Sequence, residues 1–284
     1  MKYNFLRFPE GKAKAVTLSY DDGCKDDIRL LEIINQYGLK CTFNLVGKNV
    51  EQEKSLSVEF IRENLLAKGH EIATHGYNHR AQNKIRSIEG IREIIDCRLV
   101  LERAFGIIVR GMAFPDNVVN RFLEPEAYAR IKSYIGELDI AYVRSAAGDN
   151  DKFELPTDWH NWIPTAHHDT PQIMEYIDKF VALDISKLYI ASRTPKLFYM
   201  WGHSFEFEKK QNWEHLEDIC QKLSAKDDVW YATNIEIYDY VQAYNSLRYS
   251  ADGTIVHNPT LIDVWFDVDG TLYCVKSGET VVLR

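Results

Sequence analysis

Short apolar runs alternate with helix-period segments along most of this 284-residue chain, and that alternation limits its fold more than any other feature. A run of β-branched and apolar residues followed by a turn and an amphipathic helix buries both elements best in a parallel sheet covered by its helices. Ala15–Tyr20 reads as the first buried strand, running into an acidic turn. Ile28, Leu30, Leu31, Ile33 and Ile34 then repeat at helical spacing and stop at Gly38. Further strands are expected at Cys41–Val46, Glu71–Thr74, Ile107–Val109 with Met112–Phe114, Ile140–Val143, Leu197–Trp201 and Val229–Ala232. Helices are expected at Ser57–Ala67, from an N-cap at Ser87 to Gly106, at Pro125–Ile135, from Thr170-Pro171, and at Trp213–Leu223 and Ile235–Leu247. The unit recurs about seven times over some 245 residues, close to the ~250 typical of a TIM-like barrel. A doubly wound open sheet is the second choice, but no G-x-G-x-x-G follows a strand and no phosphate-binding loop occurs.

From about Tyr249 the pattern changes to short alternating strands with turns at Asp252-Gly253, Asp269-Gly270 and Ser277-Gly278. Residues 1–247 are therefore read as the barrel and 248–284 as a C-terminal β-hairpin tail packed on its helical exterior. Lys plus Arg is 34 against 42 for Asp plus Glu, a net charge of −8, so neither nucleic acid nor an anionic membrane is an expected partner. The five cysteines are odd in number, scattered and without a CxxC pair, which argues against a disulfide framework and a Cys-rich zinc site. No apolar run reaches the length of a signal peptide or a membrane span. A cytoplasmic location is expected, with an exported mature form as the alternative.

Four places carry residues capable of chemistry. Asp21-Asp22-Gly23 follows the first strand, and the ends of parallel strands face the active site of a barrel. It reads equally as an acidic turn feeding a helix N-terminus. His75 and His79, in HGYNH, follow the third strand; at i and i+4 they share one face of a helical turn and can reach one ion. With a carboxylate they form a three-ligand set with an open position, suited to a divalent metal; alone they are two surface histidines. His203 follows an apolar strand and is either a proton donor or a structural histidine. Trp159–His168 packs two Trp and three His into ten residues, as the floor of a sugar site or as an aromatic loop on the barrel.

SYDDG, THGYNH and WGH, in this order, resemble motifs one, two and five of the polysaccharide deacetylases, carbohydrate esterase family four, over roughly residues 13–245. The resemblance implies a distorted (β/α) barrel of about seven strands, with the tail appended. It implies a hydrolase removing N- or O-linked acetyl groups from an oligo- or polysaccharide with one divalent metal, Zn²⁺ first and Co²⁺, Ni²⁺ or Mn²⁺ as substitutes. By position, Asp21 resembles the general base, Asp22, His75 and His79 the metal ligands, and His203 the general acid. Tyr77, whose backbone is a candidate oxyanion donor, joins Arg144, Trp162, Trp201 and His168 as the expected substrate-contacting residues. Two motifs depart from the family. Ala113, in GMAFPDN, stands where the family has a base-orienting Arg, and Arg144 is the candidate replacement in space; Arg110 lies three residues early. The fourth motif is unmatched, with Asp158-Trp159 or Trp162 as stand-ins. The alternatives are a non-catalytic sugar-binding protein on this scaffold and a metal amidohydrolase acting on a non-sugar amide.

Overall fold

The computed structural model describes residues 3–50, 52, 55–116, 125–145 and 149–283. After a short first strand, β1 (Asn4–Arg7), come eight parallel strands that share one sheet. They are β2 (Lys14–Asp22), β3 (Cys41–Leu45), β4 (Glu71–Thr74), β5 (Gly111–Ala113), β6 (Tyr142–Arg144), β7 (Ala166–His167), β8 (Lys196–Gly202) and β9 (Val229–Tyr231). Seven lie side by side in the order β6-β5-β4-β3-β2-β8-β7, and β9 pairs with β2. β8 runs along one edge of β2 from Lys14 to Tyr20, so the other edge is shared, by β9 at Lys14–Val16 and by β3 from Leu18 onward. A central strand that changes neighbour partway interrupts regular closure, which accounts for the distortion of the barrel. Beyond β6, Trp162 forms a parallel bridge to Arg144, continuing the curl towards β7.

Helices cover this sheet: α1 (Asp27–Gln36), α2 (Val58–Phe60), α3 (Ser87–Phe105), α4 (Pro125–Glu137), α5 (Ile173–Ala182), α6 (Ser204–Lys210), α7 (Trp213–Leu223) and α8 (Asn234–Asn245). Among the described residues no helix is long and apolar enough to cross a membrane. The main core follows from the alternation in the sequence: Val16, Leu18 and Tyr20 of β2, Phe43 of β3 and Phe198 and Met200 of β8 pack with Leu30 and Ile34 of α1, Phe180 of α5 and Leu216 of α7. Because helices lie on the sheet, β2 is buried through its first eight residues, as parallel strands usually are.

Several boundaries differ from the sequence expectation. The helix read at Ser57–Ala67 is not regular: α2 continues through one π turn, Ile61–Leu65, and a 3₁₀ turn, Leu66–Lys68, before Gly69 ends it in the left-handed conformation. Ser87 is the first residue of α3, not its cap; the Arg86 amide donates to Glu89 Oε2 at 3.0 Å, so the carboxylate closes that end. Pro171 lies in the turn before α5, which starts at Ile173. Ile107–Val109 forms no strand. The tail is more than a hairpin. Its strands β10 (Arg248–Tyr249), β11 (Ile255–His257), β12 (Val264–Val268), β13 (Thr271–Val275) and β14 (Thr280–Val282) form two three-stranded sheets, β10-β11-β14 and β1-β12-β13. β1 therefore belongs to the tail's sheet, in antiparallel register from Asn4 with Val268 to Arg7 with Trp265. Val264, Phe266 and Val275 bury against Ala243 of α8 and neighbouring Leu247, which fixes the tail to the barrel's exterior.

Candidate active site and metal centre

The strand ends bring five candidate side chains together. Asp21 and Asp22 close β2, Arg144 closes β6, and His75 and His203 stand one residue past β4 and β8. Asp21 is 2% exposed. Its Oδ2 accepts from Arg144 Nη2 at 2.5 Å and its Oδ1 from Asn44 Nδ2 at 2.8 Å. His75 Nε2 and His203 Nε2 lie 3.7 and 3.8 Å from the same Oδ2. Burial alone would raise this carboxyl; Arg144, His75, His203 and the Asn44 hydrogen bond outweigh it and hold Asp21 below the ordinary carboxylate range. Arg144 is buried as well, with its guanidinium 4.3 Å from the centre of the Trp201 ring. Ala113 and Arg144 are register partners on adjacent strands. Arg144 therefore reaches Asp21 from the strand beside the one on which the resemblance places an Arg.

Asp22 Oδ1 lies 3.9 Å from His75 Nε2 and 3.7 Å from His79 Nε2, and one ligand atom from each of the three residues falls within 4.8 Å of the others. His75 Nδ1 stands 3.0 Å from the Ala113 carbonyl. A carbonyl only accepts, so Nδ1 carries the proton and Nε2 turns its lone pair to the carboxylate, the arrangement of a metal-binding histidine. Asp22 and His79 both have left-handed backbone, φ 78° and 60°, a strain that non-glycine residues hold mainly where surrounding contacts enforce it. The chain at 75–79 is not the helical turn expected from the i, i+4 spacing; a bend through Gly76 brings the two rings to 4.8 Å. Glu93 of α3 holds that bend. Its carboxylate accepts from the Asn78 amide at 2.7 Å and Asn78 Nδ2 at 2.8 Å, and its carbonyl accepts from the Tyr77 amide at 2.9 Å. The residues present fit a divalent ion: two imidazoles and one carboxylate, with a bonded outer partner for His75.

His203 approaches the same Asp21 oxygen as Arg144. Its Nδ1 is 3.5 Å from Glu206 Oε1, and its amide donates to Glu206 Oε2 at 3.3 Å, because Glu206 sits in the first turn of α6. Burial would lower this imidazole; Glu206, Asp21 and Asp22 outweigh it and raise its pKa. Beside Asp22 and His79 an open cleft of about 340 Å³ is lined by Cys24, Val46, Lys48, Asn49, Ser55 and Phe205.

Some expected contacts are relocated. Trp162 is buried among Tyr142, Trp159 and Tyr199, out of reach of a substrate. His168 is buried between Tyr20 and Phe207. The Tyr77 amide is taken by Glu93, so it is not a free oxyanion donor. Asp158 accepts from Tyr128 and Lys132, and Arg110 pairs with Asp239. Trp201, half-buried between Arg144 and His167, keeps a place beside the site. Asn44, Glu93 and Glu206 escape the sequence reading. Only Glu206 had a local signal, three residues after His203 at the spacing of a helix cap.

Residues 9–129, under half of the chain, match the model of the polysaccharide deacetylase family. That stretch resembles the polysaccharide deacetylases. A peptidoglycan-N-acetylglucosamine deacetylase of Bacillus cereus is 31% identical over 100 residues, 34% of this chain and 34% of that protein, so the match spans about a third of that relative's length. Among solved structures, a putative polysaccharide deacetylase from Mycobacterium smegmatis aligns with a TM-score of 0.58 at 18% identity, over 86% of this chain and 96% of that one. The Xyl-CE4 domain of a multidomain xylanase from the hindgut metagenome of Trinervitermes trinervoides aligns at 0.52 and 16% identity, over 82% and 92%. At these identities the structural matches establish the polysaccharide deacetylase fold, a distorted (β/α) barrel.

Proposed function

We propose that this chain is a metal-dependent hydrolase that removes acetyl groups from a carbohydrate. The observation that carries the reading is Asp21: a buried carboxylate kept ionised by Arg144 and Asn44, with a three-ligand set and His203 beside it. Asp22 Oδ1, His75 Nε2 and His79 Nε2 would hold the ion. A divalent metal there supplies Lewis acidity for an acetyl carbonyl and lowers the pKa of a water.

The protein's own groups then divide the proton work. Asp21 Oδ2 takes a proton from the attacking water; its lowered pKa keeps it ionised at neutral pH, and its burial leaves it few competing partners. His203 Nε2, beside that oxygen, delivers a proton to the departing sugar amine or alkoxide. Glu206 Oε1 stands 3.5 Å from Nδ1, while Nε2 faces Asp21. In this reading Glu206 is the carboxylate beside the acid, and Arg144 takes the place of the third motif's missing Arg.

The name of the Bacillus cereus relative makes an N-acetylglucosamine glycan the first substrate to try. Metal-stripped protein reloaded separately with Zn²⁺, Co²⁺, Ni²⁺ or Mn²⁺ is expected to release acetate from N-acetylglucosamine oligomers or O-acetylated xylo-oligomers. Asp21→Asn is expected to lower the rate about 10²–10⁴-fold with metal content intact. Full activity in Asp21→Asn would refute the assigned base. Sugar binding without acetate release under every metal would favour the binding-protein alternative, and turnover of non-sugar amides alone would favour an amidohydrolase.

A further inference from the structure

A second group of ligand-type side chains converges on the far side of the acid, and deacetylation makes no use of its inner face. His167, His168 and Asp169 follow one another at the end of β7, and Glu206 comes from α6. One ligand atom from each of the four lies within 4.8 Å of all the others. His168 Nε2 is 3.1 Å from Glu206 Oε2 and 3.3 Å from Asp169 Oδ2. Donor atoms at the corners of a tetrahedron with bonds of about 2.0–2.1 Å stand ~3.3 Å apart. These spacings are closer to that value than the 3.7–3.9 Å of the Asp22, His75 and His79 set.

The second observation is His168 itself. It is 0% exposed, and neither ring nitrogen has a hydrogen-bond partner. Its Nε2 faces two carboxylate oxygens at ion-pair distance yet lies off the axis of a hydrogen bond to either. A polar atom left so inside a protein is costly, and a cation between the three atoms removes that cost. His167 has a different part. The Asp169 amide donates to its Nδ1 at 3.1 Å, so its proton sits on Nε2, 3.1 Å from Glu206 Oε2. It orients the carboxylate from outside, as outer partners of metal ligands do. Lys210, on a flexible and half-exposed stem, places its ammonium on Asp169 Oδ2 and holds the cation's position in the metal-free molecule. The other Glu206 oxygen, Oε1, remains with His203.

We propose a second divalent-cation site in this chain, with His168 Nε2, Asp169 Oδ2 and Glu206 Oε2 as ligands, taking an ion of the zinc, cobalt or manganese type. It stands apart from the deacetylase reading, because its measure is a count of ions and not a rate. Metal-free full-length protein dialysed against micromolar Zn²⁺ and analysed for bound metal is expected to hold two ions per chain. Asp169→Asn and, separately, His79→Ala are each expected to hold one. Lys210→Gln, which removes the competing ammonium, is expected to bind the second ion more tightly. Glu206→Gln repeats the loss should Asp169→Asn fail to fold, with circular dichroism reporting the fold. A wild-type count of one that His79→Ala removes would overturn the second site and leave the first standing, as would a count of two retained by both Asp169→Asn and Glu206→Gln. A single ion lost from Asp169→Asn but kept by His79→Ala would support the second site and overturn the first.

Discussion

Replacing Arg144 by Met tests the electrostatics of Asp21, the proposed base, directly. Met keeps the apolar stem of the side chain but loses the guanidinium that lies over Trp201 and beside Asp21. Asp21 would then keep its burial and its Asn44 bond but lose the cation at 2.5 Å. Removing one partner of a buried ion pair costs about 3–5 kcal/mol when the other must stay charged. At about 1.4 kcal/mol per decade, that cost corresponds to a rise of roughly 2–3 pH units in the pH at which Asp21 protonates, so the rate falls most steeply below neutral pH. The assay is a pH profile of kcat/KM for acetate release, with a thermal melt of the same samples. The acidic limb should move to higher pH, with activity partly recovering as pH rises. The double variant Ala113→Arg with Arg144→Met returns a guanidinium to the paired position one strand away and should restore part of the neutral-pH rate. An Arg144→Met profile that overlays the wild type, in a protein that melts normally, would refute the argument.

Two further perturbations test other parts of the structure. Asp27, wholly buried at the start of α1, is pushed up to about 8 by burial, against about 3.9 for an exposed chain. The folded state therefore binds this proton more tightly than the unfolded state, and its stabilising contribution is lost as pH rises from about 4 through 8. Asp27→Asn should flatten the fall in urea-measured stability across that window by up to about 1.4 kcal/mol per pH unit; identical slopes would show that Asp27 is ionised in the fold. Glu93→Gln turns an amide donor towards two donors of Asn78, at a cost of about 1–3 kcal/mol. Faster amide exchange at Tyr77 and Asn78 and weaker retention of metal by His79 should follow, and unchanged exchange would mean that Glu93 does not hold the bend.

Much of the barrel was legible because β2, β3, β4 and β8 are buried apolar runs whose period cannot be mistaken for that of their helices. Asp21, Asp22, His75 and His203 were legible for a related reason: each follows such a run, and strand ends converge. What was not legible depends on contacts distant in sequence. Arg144 is a candidate from its place after a later strand, but that it reaches Asp21 across 123 positions follows only from the strand order. Asn44 looks like an interruption of an apolar strand until β3 is laid beside β2. The Trp and His of Trp159–His168 have a composition that suits sugar binding, but burial takes Trp162 and His168 out of reach, and composition carries no sign of burial. Left-handed backbone at Asp22 and His79 likewise has no mark in the residue type.

The pairing of β1 with β12 has a consequence for the order in which the molecule is made. Asn4–Arg7 leaves the ribosome early, but its partners, Trp265–Val268, follow about 260 residues later. At about 5–20 residues per second that is a wait of roughly 13–50 s, longer than a barrel of this size needs to collapse. Leu6 and Phe8, which end up buried against the barrel wall, must stay uncovered or find temporary company until the last strands arrive. A segment synthesised long before its partner strand is thus among the last to settle. Shortening the chain from its C-terminal side should unsettle the opposite end first, as new protease sensitivity around residues 3–8 and not in the tail.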